Sequence, residues 1–221
     1  MANPAFVQGA IQGAASDTMT ISLTAQTDGY LLVQANSVYG AITGATWDGV
    51  AMTLVDTIVA GGGGDGYKVF GIATSATMTS KNIYVENGSA SCLIGYMYFS
   101  GVKNQSPTNM AYHVPGSGNN PSKAITTTVD NSMVVYFDTW STTGYTAGAN
   151  TTQAYKDTTV RGQEGYYSTA VVSPAGSFTI NLTGTYNGLN GWIATLEPAA
   201  AASTRSPGGG VAASGGGSFA F

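Results

Sequence analysis

Short apolar runs separated by clusters of Gly, Asn, Asp and Ser recur from residue 5 to about residue 197. Two of them alternate strictly. Ile83 and Val85 stand against Tyr84 and Glu86, and Phe178, Ile180 and Leu182 against Thr179, Asn181 and Thr183. A period of two sends one set of side chains into a core and the other into solvent, the signature of a strand with one buried face. TMTISLTA, GYLLVQANS, AMTLVDTIV, GYKVFGIA, KNIYVENG and SCLIGYMYFS in the first half are strand candidates, rich in β-branched and aromatic residues. SKAITTTV, SMVVYFDTW, GYYSTAVVS, SFTINLTG and GWIATLEP are their counterparts in the second half. No window carries the spacing and caps of a long amphipathic helix. Many short, regularly spaced strands predict an all-β fold, an antiparallel β-sandwich of jelly-roll type. Its expected core includes Ile21, Leu23, Leu32, Val69, Ile83, Val85, Leu93, Val134, Phe178, Ile180, Trp192 and Ile193.

A faint internal repeat organises these strands. TISLTAQTDGYLLVQANS parallels AITTTVDNSMVVYFDTWS, each a Thr-rich strand, a turn (Asp28-Gly29 or Asp130-Asn131) and a bulky apolar strand. GDGYKVFGIA parallels QEGYYSTAVV, KNIYVENG parallels SFTINLTG, and the halves close on CLIGYMYFSGV and GWIATLEPA. Strands persist in such repeats while loops drift in length. The expected organisation is one sandwich domain over 1–198, with related halves at about 5–103 and 122–198 joined by a connection over 104–122. A single sandwich is expected because either half alone, so rich in glycine, would have a thin core. Residues 199–221 read as a flexible Gly-rich C-terminal arm.

GATWDGVAMTLVDT followed by GYKVFGIATSATMTSKNIYVENGSASCLIGYMYFSGVKNQSP resembles the β-sandwich modules of bacteriophage virion structural proteins and some bacterial surface proteins. The shared features fall on Trp47, Asp48, Gly49, Val50, Ala51, Met52 and Thr53, then on Phe99, Ser100, Gly101 and Val102. DNSMVVYFDTW through GWIATLEPA is similar to the closing strands of such modules, so the resemblance covers about residues 5–198. It implies a capsid decoration, head-auxiliary or tail-associated protein. The motifs are turns and core strands, so they carry over no catalytic residue.

Composition narrows the function classes further. Charged residues are 8% of the 221, against about 25% in an average domain, and Thr, Ser, Asn and 31 glycines stand in their place. A surface with few charges lies against copies of itself at little desolvation cost, so identical copies or a capsid or tail protein are the expected partners, in an oligomer or lattice. With seven basic residues and a net charge of −4 there is no basic groove, so nucleic acid is not an expected partner. No apolar run approaches the roughly 20 residues of a membrane helix, so no membrane is expected. The first basic residue is Lys68 and no sustained apolar core precedes it, so no secretory signal is expected; the resemblance to virion modules then implies synthesis in the host cytoplasm and residence in the virion. The Asn-x-Ser/Thr triplets at Asn87, Asn104, Asn150 and Asn181 then follow from composition. Cys92 stands alone inside an apolar run and reads as a buried core residue.

Candidate chemistry is sparse, and no enzymatic constellation, cofactor or metal is expected. His113 is the single histidine, and no Gly-x-Ser-x-Gly elbow accompanies it. One Cys and one His exclude a zinc cluster. GGGGDGY over 61–67 lacks the Lys-Ser/Thr of a phosphate loop. Asp56, Asp65 and Asp157 follow no calcium-loop spacing. Asp157 and Glu164 could serve a glycosidase only if the fold paired them across one bond. Trp140, Tyr145, Tyr166 and Tyr167, with Trp47, could stack on a sugar; core packing is the favoured reading of the same rings.

The arm, AAAASTRSPGGGVAASGGGSFAF, holds one charge, Arg205. Phe219 and Phe221 are two apart, so an extended chain presents both rings on one side. Together with Val211 they are the expected partner-binding residues. The function expected is a non-enzymatic structural component of a phage virion, most simply a capsid decoration or head-auxiliary protein held through this arm. The alternative is a tail-fibre or surface adhesin module that binds host glycans.

Overall fold

The computed structural model describes residues 2–12, 16–37, 40–58, 67–74, 76–88, 92–103, 107–113, 122–139, 144–157, 162–184 and 190–199. Residues 200–221 of the expected 199–221 arm, with Val211, Phe219 and Phe221, and also Trp140 and Asp65, lie outside the described residues. The fold is the expected one: all-β, antiparallel, sandwich-like, with no helix among the described residues.

The first half contains β1 (Ala5–Ile11), β2 (Thr18–Leu23), β3 (Gly29–Ser37), β4 (Ile42–Trp47), β5 (Val50–Ala51), β6 (Thr53–Ile58), β7 (Tyr67–Thr74), β8 (Met78–Asn87) and β9 (Cys92–Ser100). They form a five-stranded sheet in the order β1-β9-β3-β7-β6 and a four-stranded sheet in the order β2-β8-β4-β5. Chain neighbours thus repeatedly fall in opposite sheets, which is jelly-roll connectivity. The one-sided strand β8 sends Ile83 and Val85 inward and Tyr84 and Glu86 outward. They meet Leu31, Val33, Ile94 and Trp47 in an outer core. The β4–β5 hairpin turns through Asp48 and Gly49 at φ of 50° and 80°, the left-handed pair that a two-residue turn of matching twist requires.

The second half repeats this plan with β10 (Thr108–His113), β11 (Lys123–Thr126), β12 (Met133–Thr139), β13 (Thr146–Ala147), β14 (Thr151–Asp157), β15 (Gln163–Ser168), β16 (Ser177–Ile180), β17 (Leu182–Thr183) and β18 (Asn190–Leu196). Its five-stranded sheet runs β10-β18-β12-β15-β14, matching the first position by position. The pairs β11-β16 and β13-β17 form its outer layer. Ile125, Val134, Tyr136, Tyr145, Tyr166, Ile180, Leu182 and Ile193 fill the core between them, with Phe178 only partly buried at its side. Residues 108–113, within the stretch that reads as a connection, are strand β10.

Each half therefore closes its own two-layer sandwich, and the two five-stranded sheets then pack face to face. Tyr30, Leu32, Val69, Met97 and Phe99 from one meet Met133, Val135, Phe137, Trp192 and Leu196 from the other. All nine residues of β3 are consequently buried. Polar side chains cross this seam at fixed points. Tyr155 Oη donates to Gln34 Oε1 at 2.8 Å, and Gln34 Nε2 donates to the Asp138 carbonyl at 3.0 Å. Trp192 Nε1 donates to Asp56 Oδ2 at 2.9 Å. The ends of the halves also pair: the Ala199 N–H donates to the Gly101 carbonyl and the Lys103 N–H to that of Glu197, each at 2.9 Å.

The Tyr155 ring needs room that only glycine leaves. A Cβ at Gly95 would lie 2.5 Å from its Oη, and one at Gly165 2.5 Å from its ring. Gly95→Ala should therefore destabilise the protein by about 1–3 kcal/mol. Ile83→Ser and Ile180→Ser should cost about 2–5 kcal/mol each. Urea unfolding measures all three, and a Gly95→Ala protein as stable as the parent would show that Tyr155 has another seat.

Candidate functional site

Strand β15 positions the densest polar cluster of the described residues. Successive strand residues face opposite ways, so Glu164 points into the outer core of the second half while Gln163 points into the central seam. Glu164 is fully buried. It accepts the Tyr145 N–H at 3.1 Å on both oxygens and the Tyr166 hydroxyl at 2.5 Å. Lys156, opposite on β14, lies 3.6 Å from its Oε1 and donates to the Tyr145 carbonyl at 2.8 Å. Gly144 is at φ of 66°, and a Cβ there would meet Lys156 Nζ at 2.3 Å, so the chain entering Tyr145 is pressed directly onto this pair. Burial pushes the Glu164 carboxyl above its ordinary range, against the opposing pull of Tyr166, the Tyr145 N–H and Lys156. The same burial, with the Glu164 charge beside it, raises the Tyr166 phenol.

These partners fasten residues 144–147 to the sheet. They do not flank a cleft. Asp157 lies opposite Gln163 in the ladder, on the other face of the sheet from Glu164, so the two carboxylates cannot bracket one glycosidic bond. Asp56 is occupied by Trp192 and by the Thr57 N–H at 2.8 Å. Among the described residues no three His, Cys, Asp or Glu side chains come together as metal ligands. Cys92 is fully buried, and burial pushes its thiol up to about 12, which keeps it protonated and unreactive.

Two of the four candidate sugar-stacking rings are core residues, and Trp140 lies outside the described residues. Tyr145 and Tyr166 are wholly buried, as is Trp47, and none offers a ring face to a sugar. Tyr167 is half-buried and stacks on Phe6 with centroids 4.3 Å apart. That contact closes one flank of the central layers, where β1 lies against β14.

The outward chemistry lies elsewhere. The exposed side of the four-stranded sheet carries Thr20 and Asn82, hydrogen-bonded at 2.7 Å, and the cross-strand row Thr18, Tyr84 and Thr46. On the flank opposite Phe6, the five-stranded sheets end in β6 and β10. Of the exposed large apolar side chains, Leu54 lies on β6 and Met110 and Tyr112 on β10, while Val50 is on β5, Tyr84 on β8 and Val129 in the turn before β12. β10 carries little signal in the sequence because it is short and set among Pro, Gly and Asn. Its one legible signal was the alternation of Met110 and Tyr112 around Ala111. Compared with protein-family models, curated proteins and solved structures, the chain matches none.

The Glu164 environment sets a pH dependence. Its folded pKa is raised, so folding favours the protonated form. The resulting stability is present below the unfolded carboxyl pKa of about 4.3 and is lost as pH rises through the higher folded value. Glu164→Gln removes the titrating group while keeping an acceptor oxygen for the Tyr145 N–H. Unfolding free energies measured between pH 4 and 8 should fall more steeply in the parent than in this variant; parallel curves would show that Glu164 titrates as it does in the unfolded chain.

Proposed function

We propose that the protein is a non-enzymatic structural component of a bacteriophage virion, a capsid decoration or head-auxiliary protein attached through residues 199–221. The observation that carries this reading is where the reactive side chains go. Glu164, Tyr145, Tyr166 and Cys92 all serve internal packing and hydrogen bonding, and the partly exposed Lys156 turns its ammonium to the Glu164 carboxylate and the Tyr145 carbonyl. The outward surfaces offer Thr, Asn and scattered apolar groups on open sheet edges, a chemistry suited to assembly with neighbours.

The sequence resemblance to virion modules supports the setting. Its motif residues have structural duties: Trp47 is core, Asp48 and Gly49 make the hairpin turn, and Gly101 sits at φ of 66° where the ends of the two halves pair. A rigid body with an apolar-tipped arm suits attachment to a particle. Phe219 and Phe221 would each contribute about 1.5–3 kcal/mol on burial in a partner pocket. The adhesin reading is weaker, since two of the four rings it relies on are internal.

Phe219→Ser/Phe221→Ser should leave the far-ultraviolet dichroism spectrum unchanged and reduce incorporation into purified particles at least about tenfold. Cryo-electron microscopy and gel densitometry of the particles measure copy number. Normal occupancy of the double variant would overturn attachment through the arm.

A further inference from the structure

The two flanks of the central layers differ in how their strand edges are finished. β1 and β14 cover one another, with Phe6 stacked on Tyr167. Among the described residues β10 is the last strand of its sheet on the other flank, touched at Asn109, whose Nδ2 donates to the Thr126 carbonyl of β11 at 3.2 Å. Proteins usually blunt such an edge with Lys, Glu, Pro or a covering element. The β10 sequence, TNMAYH, has none of these residues, and it exposes Met110 by 41% and Tyr112 by 39%. A bulge between Thr108 and Ala111, with Asn109 at φ of 49°, shortens the regular edge to a few residues. A short, uncharged, apolar edge fits a short apolar strand.

The chain carries one such segment. Phe219 and Phe221 repeat every second residue, as Met110 and Tyr112 do, and no charged side chain lies between Arg205 and Phe221. Strand addition matches alternate side chains on one face while the backbone supplies the hydrogen bonds. Ala199 is fixed beside Gly101, and Glu197 Oε1 accepts from Thr108 at 3.0 Å, so the segment departs next to the start of its own β10. Reaching that edge would need almost no spacer. Residues 200–214 instead supply about 50 Å of contour and, as a glycine-rich coil, a root-mean-square span of about 21 Å, more than that contact needs. That length suits a neighbour's β10.

We infer that residues 215–221 of one copy add as a strand along β10 of a second copy, with Phe219 and Phe221 packed beside Met110 and Tyr112. This rests on the reading of residues 199–221 as an attachment arm and names what receives it.

Two full-length variants test it by complementation. Met110→Lys places a charge on the exposed edge and leaves the arm intact. Phe219→Ser/Phe221→Ser leaves the edge intact. Dichroism confirms that both fold. In sedimentation velocity the parent should associate with concentration, and each variant alone should associate at least about tenfold more weakly. Mixing the two should restore a dimer, because one supplies the arm and the other the edge. A parent that stays monomeric at high concentration, a Met110→Lys protein that associates like the parent, or a mixture that restores nothing would each overturn the inference. If the Phe variant still fails to join particles while Met110→Lys joins normally, the arm reading stands and its receiver is another protein. If neither variant affects particles or association, both readings fall.

Discussion

Burial of both faces of the two five-stranded sheets is the constraint on which the other layers depend. Each half is small and rich in glycine, and its outer sandwich encloses a modest core. Packing the large sheets against each other creates a third core and removes their inner faces from water. Leu32 and Val135 contribute on one face of their strands what Leu31 and Val134 contribute on the other. An apolar seam is tolerant of sliding, and the crossing bonds from Gln34 to Tyr155 and from Asp56 to Trp192 give it one register. The Tyr155 ring, laid between Gly95 and Gly165, ties a strand of each half to the same side chain.

The same economy explains the character of the surface. A chain with few charges has placed several of them inside, where Glu164 holds residues 144–147 through backbone and phenol hydrogen bonds. What remains outside is hydroxyl-rich and sparsely charged, with the Lys81–Asp48 pair at 2.9 Å among its ions, and it is interrupted by apolar side chains. Such a surface gains little from long-range electrostatic steering and loses little when covered. Among the described residues the two flanks differ: β1 and β14 cover one another, while β6 and β10 end their sheets.

Legibility in the sequence followed burial. Strands with one buried face, such as β8 and β16, announced themselves through Ile83, Val85, Phe178 and Ile180. The doubly buried strands β3 and β9 were legible as apolar-rich runs, GYLLVQANS and CLIGYMYFS, without a strict period of two. The edge strands β1, β10 and β14 were not, because half-exposed positions carry mixed residues and a bulge breaks the period in each. The aromatic residues were the other failure. Tyr145 and Tyr166 in a polar, Thr-rich setting look the same on paper whether they line a sugar site or a core, and only the partners of their hydroxyl and backbone groups distinguish the two.

The sequence by itself determined the all-β class, the jelly-roll spacing of strands and the kinship of the halves, because period, turn residues and repeat are local properties of the chain. Only the tertiary structure decided that each half closes its own sandwich and that the large sheets then share a core. Strand alternation records that a face is buried without recording what covers it. Tertiary structure alone also placed Asp157 and Glu164 on opposite faces of one sheet and brought Glu197 beside the start of β10. Those relations join residues far apart in the chain, and no local pattern encodes them.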